Sequence, residues 1–384
     1  MNRAAEASHV YLSSNLWDGL WIIQQPIARE ISRTAPVLYV ERFVSLFTML
    51  RYPSLWRQLF SWLRGARPVS DNLWVLAPLP LFHLGHRFPW VFRLEFVLQR
   101  RWIAFWAGRL SDQVRVLWID NPLYECAVGR FGEQISVYHV ADEVSAFPTS
   151  HPEVIAALER RTLQQVDVVF AAAEQLSLDK RAIQPRTYTV WNAIDTESFA
   201  APADGAQLDK LDAIPTPRVA FIGVVDEWVD LELLRLAATQ LPDLHFAVVG
   251  PVKVPVDSLR TLPNVHFLGR FERRLIPGVL RRCSASLVPF QKTKLTARIV
   301  PLKVFEALAA GILPVCTDFS IDLEALEREG FARVARSPEG FVAAVRDAVV
   351  RDSPDQRARL EAYGRRQTWQ ARWRQMATIL EELL

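Results

Sequence analysis

Two series of short β-branched or aromatic runs, each alternating with stretches of helical period, constrain this chain more than any other feature. That alternation is the pattern of parallel α/β domains, where each strand is followed by a crossover helix. The first series places strands near residues 9–13, 37–40, 73–77, 115–119, 135–140, 167–172 and 188–191. After Phe199 the segment APADGAQLDKLDAIPTPR is rich in Ala, Pro and Asp, has no sustained period, and reads as a linker. The second series then begins, with strands near 219–223, 244–249, 265–268, 285–289, 313–317 and 332–334. The expectation is an α/β protein of two Rossmann-like domains, 1–199 and 218–364, joined by the linker 200–217. The helical stretch 365–384 is free to cross back to the first domain. A length of 384 residues agrees with two cores rather than one. Ligands of open parallel sheets bind beyond the carboxyl ends of the strands, so the cleft that two such domains face is the place to look.

Composition excludes several classes. Cys126, Cys283 and Cys316 are odd in number, far apart, and without C-x-x-C or Cys/His spacing, which points to a reducing compartment and no zinc or other metal site. The opening MNRAAEASHVYLSS has no apolar core of a signal peptide, and no apolar run reaches the roughly 18 residues that span a bilayer. The expected location is cytoplasmic, with a peripheral place on the inner face of the plasma membrane as an option. Net charge is only +3, but residues 42–109 hold ten arginines and six tryptophans against Asp71 and Glu95. Lysine is absent before Lys180. Segments 46–63 and 88–109 therefore suit a membrane interface, with tryptophans at headgroup depth and arginines toward anionic lipid. The competing reading, stronger for the second segment, is a core helix with its apolar face on the first sheet. Nucleic acid is not an expected partner, because the basic residues are interleaved with large apolar ones instead of forming a polar stripe.

The stretch PLKVFEALAAG, residues 301–311, combines a proline that can open a helix, Lys303 and Glu306 on one face, and Gly311 as a stop. A helix start with a lysine in its first turn suits a diphosphate, since free N–H groups, the helix dipole and the ammonium all favour negative charge. Glu306 can accept hydrogen bonds from ribose hydroxyls. The alternative is an ordinary surface Lys/Glu pair. Another helix start is marked by Ser150 and Glu153 at capping-box spacing with Pro152 in the first turn.

P-x-K-x-x-E-x-L-A-A-G followed by the apolar ILPVC resembles the donor-binding segment of GT-B glycosyltransferases, particularly family-4 enzymes of capsule, teichuronic acid and exopolysaccharide synthesis. DVVFAAAEQL, YTVWNAIDTESF with Asn192, Asp195 and Phe199, VAFIGVVDEWVD, VVGP and NVHFLGRF are further matches, and together they cover most of the chain beyond Arg115. The resemblance implies a GT-B fold and a nucleotide-sugar donor, a UDP-sugar, with no other cofactor. Two departures stand out: Arg298 occupies the place of the family's first glutamate, and Ala193 replaces a glycine. They put the sugar and the retention of configuration in doubt, and leave nucleotide binding intact.

VYHVADEVSAF resembles a segment of the xanthan-type glucuronosyltransferases, which makes Asp142 the matching base for an inverting transfer. A loop-capping aspartate is the alternative. His139 is a second candidate on the acceptor side, against the reading of a satisfied core histidine. Trp17 and Gly19 lie in SSNLWDGLW, which resembles the acceptor-side loop of such enzymes. Gly223 ends a strand where a backbone can approach a phosphate, against the reading of an ordinary turn glycine, and Arg270 follows another strand end, where contact with the base or phosphates competes with the reading of a solvent-exposed arginine. The expected donor set is Gly223, Arg270, Lys303 and Glu306. The expected activity is metal-independent sugar transfer onto a lipid-linked or glycan acceptor in bacterial surface polysaccharide synthesis. The alternatives are a catalytically inactive partner that kept the nucleotide pocket, and a nucleotide-sugar epimerase of the same fold.

Overall fold

The computed structural model describes residues 8–19, 21–46, 56–81, 88–111, 113–144, 151–195, 199 and 205–384. The chain divides into two compact units, residues 1–191 with 369–384, and residues 192–368.

Among the described residues the first unit is built on eight strands: β1 (His9–Leu12), β2 (Val37–Val40), β3 (Arg67–Ser70), β4 (Leu73–Leu76), β5 (Val116–Ile119), β6 (Ile135–Val140), β7 (Val168–Ala171) and β8 (Thr187–Thr189). Their order is β3-β4-β2-β1-β5-β6-β7-β8. All neighbours are parallel except β3 and β4. The helices are α1 (Gln24–Ser32), α2 (Trp56–Arg64), α3 (Pro89–Ala107), α4 (Pro152–Gln165) and α5 (Glu174–Arg181). Parallel strands covered on both faces need continuous apolar runs, which VLYV, VLWI and VVFA supply. β3 was not expected. Its sequence RPVS is exposed throughout and holds a proline, which only an edge strand tolerates. α4 is also capped differently from the sequence expectation. Its N-cap is His151, with no side-chain cap bond, and Ser150 lies outside the described residues.

One face of this sheet carries a ladder of rings. Register aligns Tyr11 with Tyr39 and with Trp118, and Phe170 with Tyr188. Tyr11 stacks on Trp118 at 5.8 Å and 5°, and Trp118 on Phe170 at 6.0 Å. Cross-strand aromatic pairs of this kind hold a sheet in register.

The second unit has β9 (Arg218–Ile222), β10 (His245–Val249), β11 (Val265–Gly269), β12 (Ala285–Val288), β13 (Leu313–Thr317) and β14 (Arg333–Ala335), all parallel, in the order β11-β10-β9-β12-β13-β14. The order reverses between β9 and β12, which opens a crevice at the carboxyl ends of those two strands. The helices are α6 (Ala206–Asp212), α7 (Leu231–Gln240), α8 (Asp257–Arg260), α9 (Ile276–Arg281), α10 (Leu302–Ala309), α11 (Asp322–Arg328), α12 (Pro338–Val350) and α13 (Pro354–Gly364). α6 falls within the stretch read as a linker. Leu208 and Leu211, followed by Ile214, bury its apolar side against Phe271, Leu275 and Val279.

α10 is the expected helix of residues 301–311, with Pro301 as N-cap. It ends in a Schellman motif: Ile312 N–H donates to the Ala307 carbonyl at 2.9 Å and Gly311 N–H to that of Leu308 at 2.9 Å, with Gly311 at φ 76°. Against its end lies Gly364, where a Cβ would fall 2.2 Å from the Ala309 nitrogen. The last helix, α14 (Trp369–Leu383), belongs to the first unit, where it packs on α1.

Candidate donor and acceptor sites

In the second unit, three glycines mark the carboxyl ends of β9, β10 and β11. Gly223 N–H donates to Val249 and Gly250 N–H to Gly269, each at 2.9 Å. A Cβ on Gly250 would sit 1.9 Å from the Gly223 carbonyl oxygen, so backbone meets backbone there. Gly223, at φ 137°, leaves the space that Lys303 takes: a Cβ on it would lie 2.7 Å from Lys303 Nζ.

Lys303 reaches this point from the first turn of α10. Its ammonium lies over the rings of Phe221 at 4.9 Å and Phe290 at 4.6 Å. Among the described residues it forms no ion pair within 4 Å. Burial brings its pKa down to about 8, against the opposing pull of Glu306. A half-buried cation with aromatic faces beneath it and a glycine beside it has the chemistry to attract an anion at the switch of the sheet.

Glu306, one turn further on, is buried and pairs with Arg273 at 3.1 Å. Burial raises its pKa, and Arg273 and Lys303 only partly offset this. Arg273 was not anticipated. Arg270, which was, is exposed, and among the described residues its guanidinium has no hydrogen-bond or ion-pair partner. Its backbone carbonyl accepts from Gln207. Arg298 bonds the Lys294 carbonyl at 3.0 Å. Asn192 donates to the Val300 carbonyl at 3.1 Å, tying the start of this unit to the segment that leads into α10. A cavity of about 400 Å³ opens beyond β12, β13 and β14, and Phe290 lies between it and Lys303 as part of its wall.

In the first unit, the loop after β1 is fastened by buried carboxylates. Asp120, at the end of β5, accepts from Ser14 N–H at 2.8 and 2.9 Å and from Ser13 Oγ at 3.1 Å. Burial pushes its pKa up to about 7 despite those donors. Glu41, after β2, accepts from Trp17 N–H at 2.8 Å. Trp17 is buried with its ring edge-on to Tyr39 at 5.0 Å, and Gly19 N–H closes a turn onto Leu16.

Asp142 lies two residues past β6, half-buried. Among the described residues its carboxylate has no hydrogen-bond partner, and burial raises its pKa. Next to it, Glu143 is held by Lys180 at 3.0 Å, and Lys180 also bonds Glu159 at 2.7 Å. Although burial opposes it, the two carboxylates raise the Lys180 pKa. The triad anchors the residue beside Asp142 and makes no bond to the Asp142 oxygens. His139 is 2 % exposed, bonded through Nδ1 to Tyr11 at 2.8 Å, and neutral, with burial bringing its pKa down to about 4. It is a core residue of the sheet. Among the described residues no cluster of three or more His, Cys, Asp or Glu side chains is placed to ligate a metal.

Residues 216–351 match the family described as Glycosyl transferases group 1. The second unit carries a group 1 glycosyl transferase domain. Lys303, Glu306, Arg273 and the three glycines all lie within this transferase domain. Over 200 residues the chain is 26 % identical to a protein of Bacillus subtilis (strain 168) described as a teichuronic acid biosynthesis glycosyltransferase, TuaH. That match spans 50 % of this chain and 49 % of the relative, about half the length of each. The sucrose-phosphate synthase tll1590 of Thermosynechococcus elongatus has the same fold, with a TM-score of 0.71 and 14 % identity over 98 % of this chain and 99 % of that one. Anabaena Alr3699/HepE in complex with UDP gives a TM-score of 0.68 and 13 % identity over 98 % and 100 %. HepE has also been solved with UDP-glucose, at a TM-score of 0.64 and 13 % identity over 98 % and 99 %. The transferase domain thus lies in a protein of GT-B fold.

Proposed function

We propose that the protein moves a sugar from a UDP-sugar to a membrane-associated glycan or lipid-linked acceptor in bacterial surface polysaccharide synthesis, working at the inner face of the plasma membrane. The observation that carries this reading is Lys303, a cation withdrawn from water beside Gly223 at the carboxyl end of β9, with no carboxylate in ion-pair distance among the described residues. An anionic diphosphate supplies the missing counter-charge. The UDP complexes of HepE support a uridine nucleotide, and the name of the TuaH relative supports a surface-polysaccharide acceptor.

In this reading Lys303 and the first amides of α10 hold the diphosphate, Glu306 accepts from the ribose, and Arg273 orients Glu306. Asp142 takes the proton of the acceptor hydroxyl as that oxygen bonds the anomeric carbon. The bond from the anomeric carbon to the diphosphate breaks, and UDP leaves with the electron pair, its charge met by Lys303. A carboxylate with a raised pKa and open oxygens suits that role.

Calorimetry with UDP, together with transfer from UDP-glucose and UDP-glucuronate to a bacterial lipid extract, tests the proposal. UDP binding that Lys303→Met removes, with label appearing in lipid, is the expected result. UDP binding without transfer to any acceptor would instead mark a nucleotide-binding partner, and no UDP binding would end the proposal.

A further inference from the structure

The helix α3 is apolar on two opposite sides. Phe92, Phe96, Gln99, Ile103 and Ala107 face inward and are buried. On the reverse side, Trp90 (63 % exposed), Leu94 (64 %), Leu98 and Phe105 lie open, with Arg101 among them. Trp90, Leu94, Arg101 and Phe105 recur at helical spacing and form a stripe about 22 Å long. α2 continues this surface with Trp56, Phe60 and Leu63, all exposed. The two helices are joined: Trp62 and Trp102 are 6.3 Å apart, and a Cβ on Gly65 would fall 2.0 Å from the Trp106 ring.

A surface helix ordinarily turns charged residues outward, and one that is apolar all round belongs in a core or in lipid. Contiguous exposed apolar surface of this size marks an interaction site. Charge selects the partner. Residues 56–111 hold eight arginines against Asp71 and Glu95, and of the eight Arg67 and Arg93 pair with Asp18 and Glu125 from elsewhere in the unit. Arg64, Arg101 and Arg109 are exposed, and Arg109 lies over the Phe105 ring at 4.3 Å. A two-fold contact between copies would set these arginines against each other. An anionic bilayer satisfies both halves of the surface, with apolar and indole side chains in the headgroup boundary and guanidinium groups on lipid phosphate.

We propose that the outer faces of α2 and α3 form the surface on which this protein docks to an anionic lipid bilayer. The inference rests on the reading of a membrane-associated acceptor and names the contact that brings the enzyme to it. No helix among the described residues is long and apolar enough to cross a membrane, and this contact is peripheral.

The test is co-sedimentation with phosphatidylcholine vesicles, with and without phosphatidylglycerol. The wild-type chain should bind the anionic vesicles, less so at high salt. Leu94→Ser with Phe105→Ser should weaken binding at least about tenfold, with UDP affinity and circular dichroism unchanged. Arg101→Gln with Arg109→Gln should cost about fivefold per arginine on anionic vesicles and nothing on neutral ones. Failure of the wild type to sediment, or equal sedimentation of the Ser variant, overturns the proposal. So does a dimer that the Ser substitutions dissociate while vesicle binding persists, which would make the face a contact between copies. Vesicle binding without sugar transfer would sink the functional reading and leave this surface standing. Transfer without vesicle binding would do the reverse.

Discussion

Lys303 occupies the space that any side chain on Gly223 would need, the would-be Cβ lying 2.7 Å from its Nζ. The close fit places one cation at the end of β9 and makes the glycine a condition of its position. Gly223→Ala should therefore displace the ammonium and also strain a backbone at φ 137°. UDP affinity is expected to fall at least about tenfold, on the scale of one charge-assisted contact. Calorimetry showing unchanged affinity would separate Lys303 from the phosphate.

The Lys303 pKa, brought down to about 8 by burial, gives a signed pH dependence. Because a diphosphate binds the charged form, UDP affinity should decline above pH 8, approaching about tenfold per unit. Lys303→Met should remove that decline along with most of the affinity. For folding, the charged form is disfavoured relative to the unfolded chain. The penalty is present in full below pH 8 and relieved as pH rises toward 10.5. Lys303→Met should accordingly melt a few degrees higher than wild type at pH 7, the exchange of stability for function expected of a buried binding group. A lower melting temperature would contradict this.

Among the described residues the Asp142 oxygens have no hydrogen-bond partner, and the residue beside it is anchored by Lys180. Asp142→Asn should lower transfer by about 10² to 10⁴ while UDP affinity changes little. Near-full turnover in that variant would remove Asp142 as the base. Lys180→Met leaves Glu143 and Glu159 without their shared cation, which should destabilise the first unit by about 3–5 kcal/mol. Its melting transition, compared with that of Lys180→Met in a Glu159→Gln background, should show partial rescue if the triad is a charge network.

The pKa of Asp120 is shifted in the opposite direction to those of the arginine-paired surface carboxylates Asp243 and Asp347. Its folded pKa of about 7 lies above the ordinary value of 3.8, so its contribution to stability is present in full below that value and is lost as pH rises through 7. Thermal melts of the wild type should decline between about pH 4 and 7 by an amount that Asp120→Asn lacks. Parallel profiles would show that the loop after β1 does not depend on this proton.

Most strands were legible because parallel strands, covered on both faces, must be written as continuous apolar runs. β3 was not, since RPVS carries no apolar signal and is a strand only because β4 offers its edge. Lys303 and Glu306 could be found three residues apart in one helix. Arg273 could not, because local sequence does not distinguish it from Arg270 or Arg274, and its partner lies 33 residues away. Asp120 looks like any residue ending a strand until Ser13 and Ser14 are brought to it. Lys180 announced itself as the chain's first lysine, but the carboxylates it joins lie 21 and 37 residues upstream. The two-sidedness of α3 was visible as composition, and only packing shows which side is free.

The helix α14 sets Trp373 edge-on to His9 at 5.8 Å and donates through Arg372 and Gln375 to carbonyls of Trp191 and Thr189. The first unit is thus completed by residues that follow the whole of the second in sequence. On a ribosome its sheet, whose strands all precede residue 190, must wait for that helix, on the order of ten seconds or more, while residues 192–368 emerge. The transferase domain, second in sequence, is the first whose chain is whole, and an unfinished first unit would present the flank that Trp373 later covers to whatever chaperone attends the nascent chain.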